Sequence, residues 1–213
     1  MRNGLIFFIG LFAALLLSWG GVVLGSHAQL GGLAPFFDEN EGKAFPERAP
    51  GLAARGQLVY DDLGCASCHT QQVRRPSFGS DKARGWGDRQ SVARDYIYQT
   101  RVQLGETRLG PDLSNVGARK PAYDAEDFYQ LLYAGRGNMP AHQFLFDDRA
   151  VIGQVSAHAL RLTGALAPAA GREIVPSHRA EALVAYLLSL NNAYEYPEAR
   201  PVVPAAAKEG EHK

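Results

Sequence analysis

Two cysteines and a histidine lie together in the run Cys65-Ala66-Ser67-Cys68-His69. The C-x-x-C-H spacing is the attachment signal for c-type haem. Two thiols at this spacing reach the two vinyl groups of one porphyrin, and the histidine that follows binds the iron from below the ring. The sequence therefore predicts one covalently bound haem c, attached through Cys65 and Cys68, with His69 as an axial iron ligand.

A disulfide and a zinc site are the alternatives for the two cysteines, which are the only ones in the chain. A structural zinc site usually takes four Cys and His ligands, and the sequence offers no further ligands at matching spacing. A thioredoxin-like pair would lie in a βαβ unit, but no such strands flank the motif. Covalent haem is the favoured interpretation.

Met139 is the candidate for the second axial ligand. The chain has two methionines, and Met1 precedes an apolar segment that would hold it on the other side of a membrane. Met139 lies in the run Gly135-Arg136-Gly137-Asn138-Met139-Pro140, a loop after a predicted helix, from which a side chain can reach a cofactor. The alternatives are a core-filling role for Met139 and ligation by the nearby His142. We expect the remaining candidates to be surface or packing residues: His27, His158 and His178.

Three further residues are candidates for haem contact. Arg75, with its neighbour Arg74, follows the motif, and a guanidinium pairs well with a propionate carboxylate; a solvated loop is the alternative. Trp86 lies between two glycines, where it covers a haem edge or fills the core. The chain break at Pro111 places a backbone carbonyl where it accepts a hydrogen bond from the free ring nitrogen of His69, which would fix the imidazole tautomer.

The length and charge of the chain restrict the class of protein. It has 213 residues and a formal net charge of zero. That length predicts one domain with extensions. Without an excess of basic residues, nucleic acid is not an expected partner.

An apolar segment near the N-terminus predicts a membrane anchor. Residues 4–26 contain no ionisable side chain before His27, and as a helix they would be about 34 Å long, enough to cross a hydrocarbon core of about 30 Å. A cleaved signal peptide is the alternative, but its apolar region is usually about 7–15 residues long. Arg2 on the short side places the N-terminus in the cytoplasm, so the haem domain would lie in the periplasm of a bacterial inner membrane.

The predicted organisation is an anchor at 1–26, a linker at 27–50, a haem domain at 51–193 and a Pro/Ala-rich tail at 194–213. Apolar residues recur at helical spacing, which predicts an all-α domain with helices at 51–63, between Asp124 and Gly135, from Asp147 to Gly164 and after Ser177. Gly56 in the first of them predicts a close crossing with the last, with Tyr60 and Tyr186 near the contact.

The order of these parts resembles a class I cytochrome c, and more specifically subunit II of cbb3-type cytochrome c oxidases, the membrane-anchored mono-haem subunit. The resemblance covers nearly the whole chain, although the loop at 72–90 departs from the usual form of that family. The run from Arg108 to Arg119 carries it more selectively than the haem motif itself. It also includes residues 31–37, 64–71, 138–141 and 182–187.

The resemblance implies an electron relay that is not itself catalytic. Such a subunit accepts electrons one at a time from a periplasmic cytochrome c and passes them to the haem-bearing catalytic subunit, where O₂ is reduced. The expected partners are that subunit, other oxidase subunits, the cytochrome c donor and membrane lipid. His69 and Met139 together would leave no open iron position, and Met/His ligation raises the haem potential.

Three alternative functions stay open at this stage. The chain could be the small cytochrome subunit of a nitric oxide reductase or a free-standing membrane-tethered carrier. A peroxidase-like cytochrome or a gas sensor would instead need a vacant or displaceable sixth ligand, which carbon monoxide binding to the reduced protein would reveal.

Overall fold

The computed structural model describes residues 2–200. Met1 and residues 201–213, which include most of the predicted tail, lie outside the described residues. The chain divides into two compact units, Met1–Phe45 and Pro46–Lys213, and each is considered by itself.

The N-terminal unit begins with a long apolar helix. Its parts are α1 (Arg2–Trp19), a π-helical turn (Gly20–Leu24) and α2 (Gly25–Leu30). The stretch Asn3–Leu30 has a mean hydropathy of 2.3, and none of its most apolar window is buried. By length and composition this helix is a candidate membrane anchor.

A short hairpin completes this unit. Strands β1 (Phe36–Asp38) and β2 (Lys43–Phe45) pair antiparallel, with Phe36 opposite Phe45. Gly42 in the turn has φ +64°, a left-handed conformation that glycine adopts without steric cost. The predicted linker at 27–50 therefore contains regular structure.

Three helices form the framework of the second unit: α3 (Gly51–Asp62), α4 (Ala125–Ala134) and α5 (His178–Ser189). The side chain of Asp124 accepts a hydrogen bond from the amide of Asp127 at the start of α4. Ser177 accepts one from the amide of Ala180 at the start of α5. These bonds satisfy amides that have no partner within the helix. The helices expected at these three places are confirmed.

Helices α3 and α5 cross in close contact at Gly56. A Cβ atom built on Gly56 would lie 2.7 Å from Cβ of Tyr186 and would overlap the backbone carbonyl of Ala182. The rings of Tyr60 and Tyr186 meet edge to face beside the crossing, with centroids 5.4 Å apart. The predicted crossing is confirmed, and its cause is the missing side chain of Gly56.

The hydrophobic core lies between these helices and extends to a second hairpin. Leu183 and Tyr60 are each 1% exposed, and α4 contributes Phe128 and Leu132. The rest of the central cluster comes from both ends of the domain and includes Leu113, Val116, Leu145, Phe146, Leu160, Ile174, Val184 and Leu187.

The helix expected between Asp147 and Gly164 is wrong. The chain instead forms a hairpin of β3 (Phe146–Ala150) and β4 (Arg172–Pro176), paired antiparallel. The all-α expectation therefore needs amendment, because the helical second unit also carries a two-stranded sheet. The hairpin depends on pairing between segments more than twenty residues apart in sequence, which a local apolar pattern cannot reveal.

Polar contacts hold the second hairpin together. Glu173 is 5% exposed, and its carboxylate accepts hydrogen bonds from Nε of Arg149 (2.8 Å) and from the amide of Ser156 (2.6 Å). Gly153 between the strands has φ +81°, a conformation that interrupts a helix. Residues 151–163, where most of the expected helix would lie, contain no helix.

The start of the predicted tail is part of the packed domain. Tyr196 is 1% exposed, and its neighbours form a short 3₁₀ turn (Pro197–Ala199). Arg94 pairs with Glu198, and Arg89 donates to the carbonyl of Tyr194. Packing thus continues at least to residue 199.

Replacing Gly56 with alanine should destabilise the second unit by about 1–3 kcal/mol or more, because the methyl group would overlap the backbone of α5. Chemical denaturation of the detergent-solubilised chain measures the change. Gly51→Ala is the matched control, since its added methyl group would meet nothing within 4 Å; it should be neutral or stabilising. Equal stability of the two variants would contradict the crossing.

Replacing Glu173 with glutamine should weaken the pH dependence of stability at acid pH. Hydrogen bonds from Ser156 and Arg149 lower the pKa of Glu173 below its ordinary value of 4.5. Its contribution is therefore present above that value and is lost as the pH falls through the lower, folded-state pKa. Urea midpoints at pH 6 and pH 3 should differ less in E173Q than in the native chain, and Arg149→Gln should reproduce part of the effect. Parallel pH profiles of the urea midpoint for E173Q and the native chain would contradict this role of Glu173.

Candidate haem site

The two cysteines and His69 lie on one turn that directly follows α3. Gly64 has φ +67° and begins the turn, and the amide of His69 donates to the carbonyl of Cys65 (2.9 Å). Both cysteines are free thiols of intermediate exposure. Neither has formed the disulfide considered as an alternative, and the turn presents both sulfur atoms and the imidazole from one short segment.

The environment of Cys65 does not favour a thiolate. Burial raises the pKa of the Cys65 thiol to about 11, and the nearby Cys68 and Asp61 add to the effect. Reactive or metal-binding cysteines usually have a pKa below that of a free thiol. Among the described residues, no group of three or more His, Cys, Asp or Glu side chains is arranged to hold a metal ion. A zinc site at Cys65 and Cys68 therefore lacks further protein ligands within the described residues.

The imidazole of His69 is held against the backbone of the Gly110-Pro111 step. Its Nδ1 lies 2.8 Å from the carbonyl oxygen of Pro111. A Cβ atom on Gly110 would lie 2.6 Å from the same Nδ1, so only glycine permits this approach. The carbonyl can only accept, so Nδ1 carries a proton, and in the neutral imidazole the lone pair is then on Nε2. An imidazole in this tautomer is ready to bind a metal through Nε2.

Residues 106–114, here called the strap, run beside the haem motif and are bonded to it by their backbone. The bonds join the amide of Glu106 to the carbonyl of Ala66 (2.9 Å), Gly110 to Cys68 (2.9 Å) and Leu113 to Thr70 (2.7 Å). The hydroxyl of Thr107 also donates to the carbonyl of Ser67. The motif is therefore braced along its length by a segment about forty residues away.

Met139 occupies a tight turn that follows α4. Gly135 ends the helix with φ +70°, and the backbones of Arg136 and Met139 exchange two hydrogen bonds of 3.2 and 3.0 Å. Met139 and Cys65 both pack against the same hydrophobic cluster. The fold thus brings the methionine turn and the haem motif to one core, although 70 residues separate them in sequence.

The histidines considered as rival ligands lie in different surroundings. His142 is half-buried, its ring packs 5.7 Å from that of Phe144, and its Nδ1 is buried with no hydrogen-bond partner among the described residues. The others are exposed: His27, His158 and His178.

Arg75 and Trp86 contact groups other than the motif in the described structure. The exposed Arg75 stacks 4.2 Å above the ring of Phe78 and lines a groove with residues 195–200. The neighbouring Arg74 pairs with Asp81 at 2.9 Å. The half-buried Trp86 has the guanidinium groups of Arg84 and Arg108 at 4.9 and 5.8 Å from its ring. Contact of Arg75 and Trp86 with haem stays a prediction.

Buried polar atoms test whether these residues fit a haem. The hydroxyl of Ser114 and Nε of Arg119 are buried without a partner among the described residues. Burial also lowers the pKa of Arg119. Unpaired buried donors are costly, and the two carboxylates of a haem supply acceptors. The free thiols, the oriented imidazole and these donors together fit the group.

Sequence reasoning missed Thr70, Asp112 and Arg119 as parts of the site. Asp112 is fully buried, and its carboxylate and carbonyl accept from Thr70 and Arg119 respectively. A signal was present, because Asp112 and Arg119 belong to the run at 108–119 and Thr70 follows the motif directly. Their partners became visible only in the folded chain.

A helical domain with a C-x-x-C-H turn packed on its core and a histidine bonded to a Gly-Pro carbonyl is typical of the cytochromes. The sequence profile of one family, described as cytochrome c oxidase, mono-heme subunit/FixO, matches residues 43–168. The match covers more than half of the chain, which therefore belongs to this family, and the resemblance to the mono-haem oxidase subunit is confirmed. Membership implies one haem and a place among the other subunits of an oxidase. A comparison with individually curated proteins returns no significant match.

Replacing Gly110 with alanine should displace the His69 ring, because the methyl group would overlap it. Nitrogen-15 NMR of the imidazole should show the loss of a defined, hydrogen-bonded Nδ1 proton. Gly32→Ala adds a methyl group that would meet nothing within 4 Å and should leave the signal unchanged. An unaltered Nδ1 signal in G110A would contradict the close approach.

Proposed function

We propose that this chain is the electron-transfer subunit of a cbb3-type terminal oxidase. Cys65 and Cys68 hold one haem c through thioether bonds, and His69 and Met139 are the axial ligands of its iron. The subunit takes single electrons from a periplasmic cytochrome c and passes them to the haem-bearing catalytic subunit that reduces O₂. The family match supports an oxidase rather than a nitric oxide reductase or a free-standing carrier.

The observation that carries this proposal is the hydrogen bond from Nδ1 of His69 to the carbonyl of Pro111 (2.8 Å). It fixes the ring orientation and leaves Nε2 free in the same turn that presents both thiols. Histidines that bind a metal commonly donate their other ring N–H to a backbone carbonyl in this way, and two cysteines lie in the same turn. The arrangement fits axial ligation next to a covalent tether.

The haem supplies reversible one-electron exchange when it is bound. The chain supplies the rest. Cys65 and Cys68 would tether the group, and the hydrophobic cluster on which Cys65 and Met139 pack would give it an apolar surface. Met139 would supply the second protein ligand to the iron, and Met/His ligation raises the haem potential. Arg119, whose Nε is buried without a partner among the described residues, would donate to a haem carboxylate.

The apolar helix Asn3–Leu30 anchors the subunit in the bacterial inner membrane. Arg2 precedes it on the short side, which favours a cytoplasmic N-terminus. The haem domain then lies in the periplasm, where a soluble or membrane-bound cytochrome c can reach it. A tether of this kind keeps the carrier close to a membrane-embedded partner and so raises the rate of electron delivery.

Replacing Met139 with alanine should abolish the charge-transfer absorption of methionine-ligated ferric haem and sharply reduce oxygen consumption with reduced cytochrome c as donor. His142→Ala is the matched control, because it removes the rival ligand from the same loop; it should keep the absorption. Spectra of the oxidised, detergent-solubilised protein and respiration by membranes containing the complex measure the two effects.

Attachment and assembly are tested separately. The native chain should retain haem in a denaturing gel, and the double variant Cys65→Ala, Cys68→Ala should not. The native chain should also co-purify with a multi-haem oxidase in mild detergent. Survival of the methionine band in M139A would overturn the ligand assignment, and purification without any oxidase subunit would overturn the proposed place in a complex.

A further inference from the structure

We infer that Asp112 is a positioning residue for His69, acting through the carbonyl of Pro111 and with Thr70 as its partner on the motif. The inference rests on the proposed function, since it concerns the axial ligand of that haem. It assigns a role to a buried carboxylate that neither binds iron nor contacts the thiols.

Asp112 joins the motif to the strap through one carboxylate. It is fully buried. Its Oδ2 accepts hydrogen bonds from the hydroxyl of Thr70 (2.6 Å) and the amide of Gln72 (2.7 Å), while Oδ1 accepts from the amide of Ser114 (2.9 Å). Hydrogen bonds to a charged group are the stronger ones. Three donors from two segments therefore converge on a single side chain.

The bond between Thr70 and Asp112 lies next in sequence to the bond between His69 and Pro111. Thr70 directly follows His69, and Asp112 directly follows Pro111, so the two bonds are consecutive links between the same two segments. The amide of Leu113 adds a third link to the carbonyl of Thr70 at 2.7 Å. A shift of Asp112 relative to Thr70 would therefore move the Pro111 carbonyl relative to the imidazole.

Nearby cations compensate the buried charge. The guanidinium of Arg108, 19% exposed, lies 3.9 Å from Asp112 and 2.8 Å from Asp81. Arg119 donates to the backbone carbonyl of Asp112. Asp81 is also bonded to Arg74, so the network extends into the loop after the motif. A buried carboxylate is costly unless it is paired and hydrogen-bonded, and Asp112 meets both conditions.

We expect the haem to have a lower reduction potential when Asp112 holds the Pro111 carbonyl in place than when that carbonyl is free to move. A firm hydrogen bond from Nδ1–H makes the imidazole a stronger donor, which stabilises ferric iron over ferrous iron. Loss of the Thr70 hydroxyl removes one donor from Asp112 without changing any charge. Thr70→Val should thus raise the midpoint potential, and Thr70→Ser, which keeps the hydroxyl, should restore it.

The experiment compares T70V, T70S and Asp112→Asn in the detergent-solubilised full chain. Haem content, the midpoint potential from spectropotentiometric titration and the electron paramagnetic resonance g values of ferric haem are measured for each. Ser189→Ala is the control, because it removes a side-chain hydrogen bond to the carbonyl of Tyr186 (2.7 Å) on α5. It is expected to change neither the potential nor the g values.

We expect T70V and D112N to raise the potential and shift the g values, with T70S close to native. Native potential and g values in haem-loaded T70V would overturn the inference, as would a T70S variant that shifts as far as T70V. If D112N does not fold, the T70V and T70S pair decides. Absence of covalent haem from the native chain would overturn the proposed function itself, whereas a haem-loaded native chain with an unresponsive T70V would overturn only the role of Asp112.

Discussion

The contact of two helix backbones at Gly56 is the constraint on which the haem domain depends. Because Gly56 has no side chain, α3 lies against the carbonyl of Ala182 on α5, and the rings of Tyr60 and Tyr186 close the space beside it. The motif begins three residues after α3 ends. The helix crossing fixes the end of α3 and therefore the position of the turn that carries the thiols and His69. Residues that bind a cofactor need such support from rigid elements.

Polar contacts then set the orientation that hydrophobic packing leaves free. Packing brings Met139 and Cys65 to one cluster, but it cannot choose the tautomer of an imidazole. That choice comes from the carbonyl of Pro111, which belongs to the strap that backbone hydrogen bonds hold against the motif. Hydrogen bonds are directional, whereas the hydrophobic effect is not. The site therefore combines a hydrophobic cluster, which brings its segments together, with a hydrogen-bonded strap, which orients the imidazole.

The second hairpin shows where local reasoning fails. Asp147 and the apolar residues after it matched a capped helix, yet the segment pairs with β4, and Arg149 binds Glu173 across the strands. Helix signals at Asp124 and Ser177 were reliable because capping is an interaction between near neighbours. Strand pairing across a long loop depends on a partner strand that is far away in sequence, so the residues next to the segment do not reveal it.

The sequence by itself determined the C-x-x-C-H motif at Cys65–His69, the apolar N-terminal helix and the crossing at Gly56, since each rests on residue type and short spacing; it also predicted Met139 as the second ligand. Only the tertiary structure decided that Asp112 bonds Thr70, that the half-buried Arg119 donates to the carbonyl of Asp112 and that Arg75 stacks on Phe78 instead of lying at the motif. Thr70 and Asp112 are 42 residues apart in sequence, and even the pairs that are closer in sequence meet only through the loop conformation of the folded chain. Their energies depend on burial and direction, which exist only once the chain has folded.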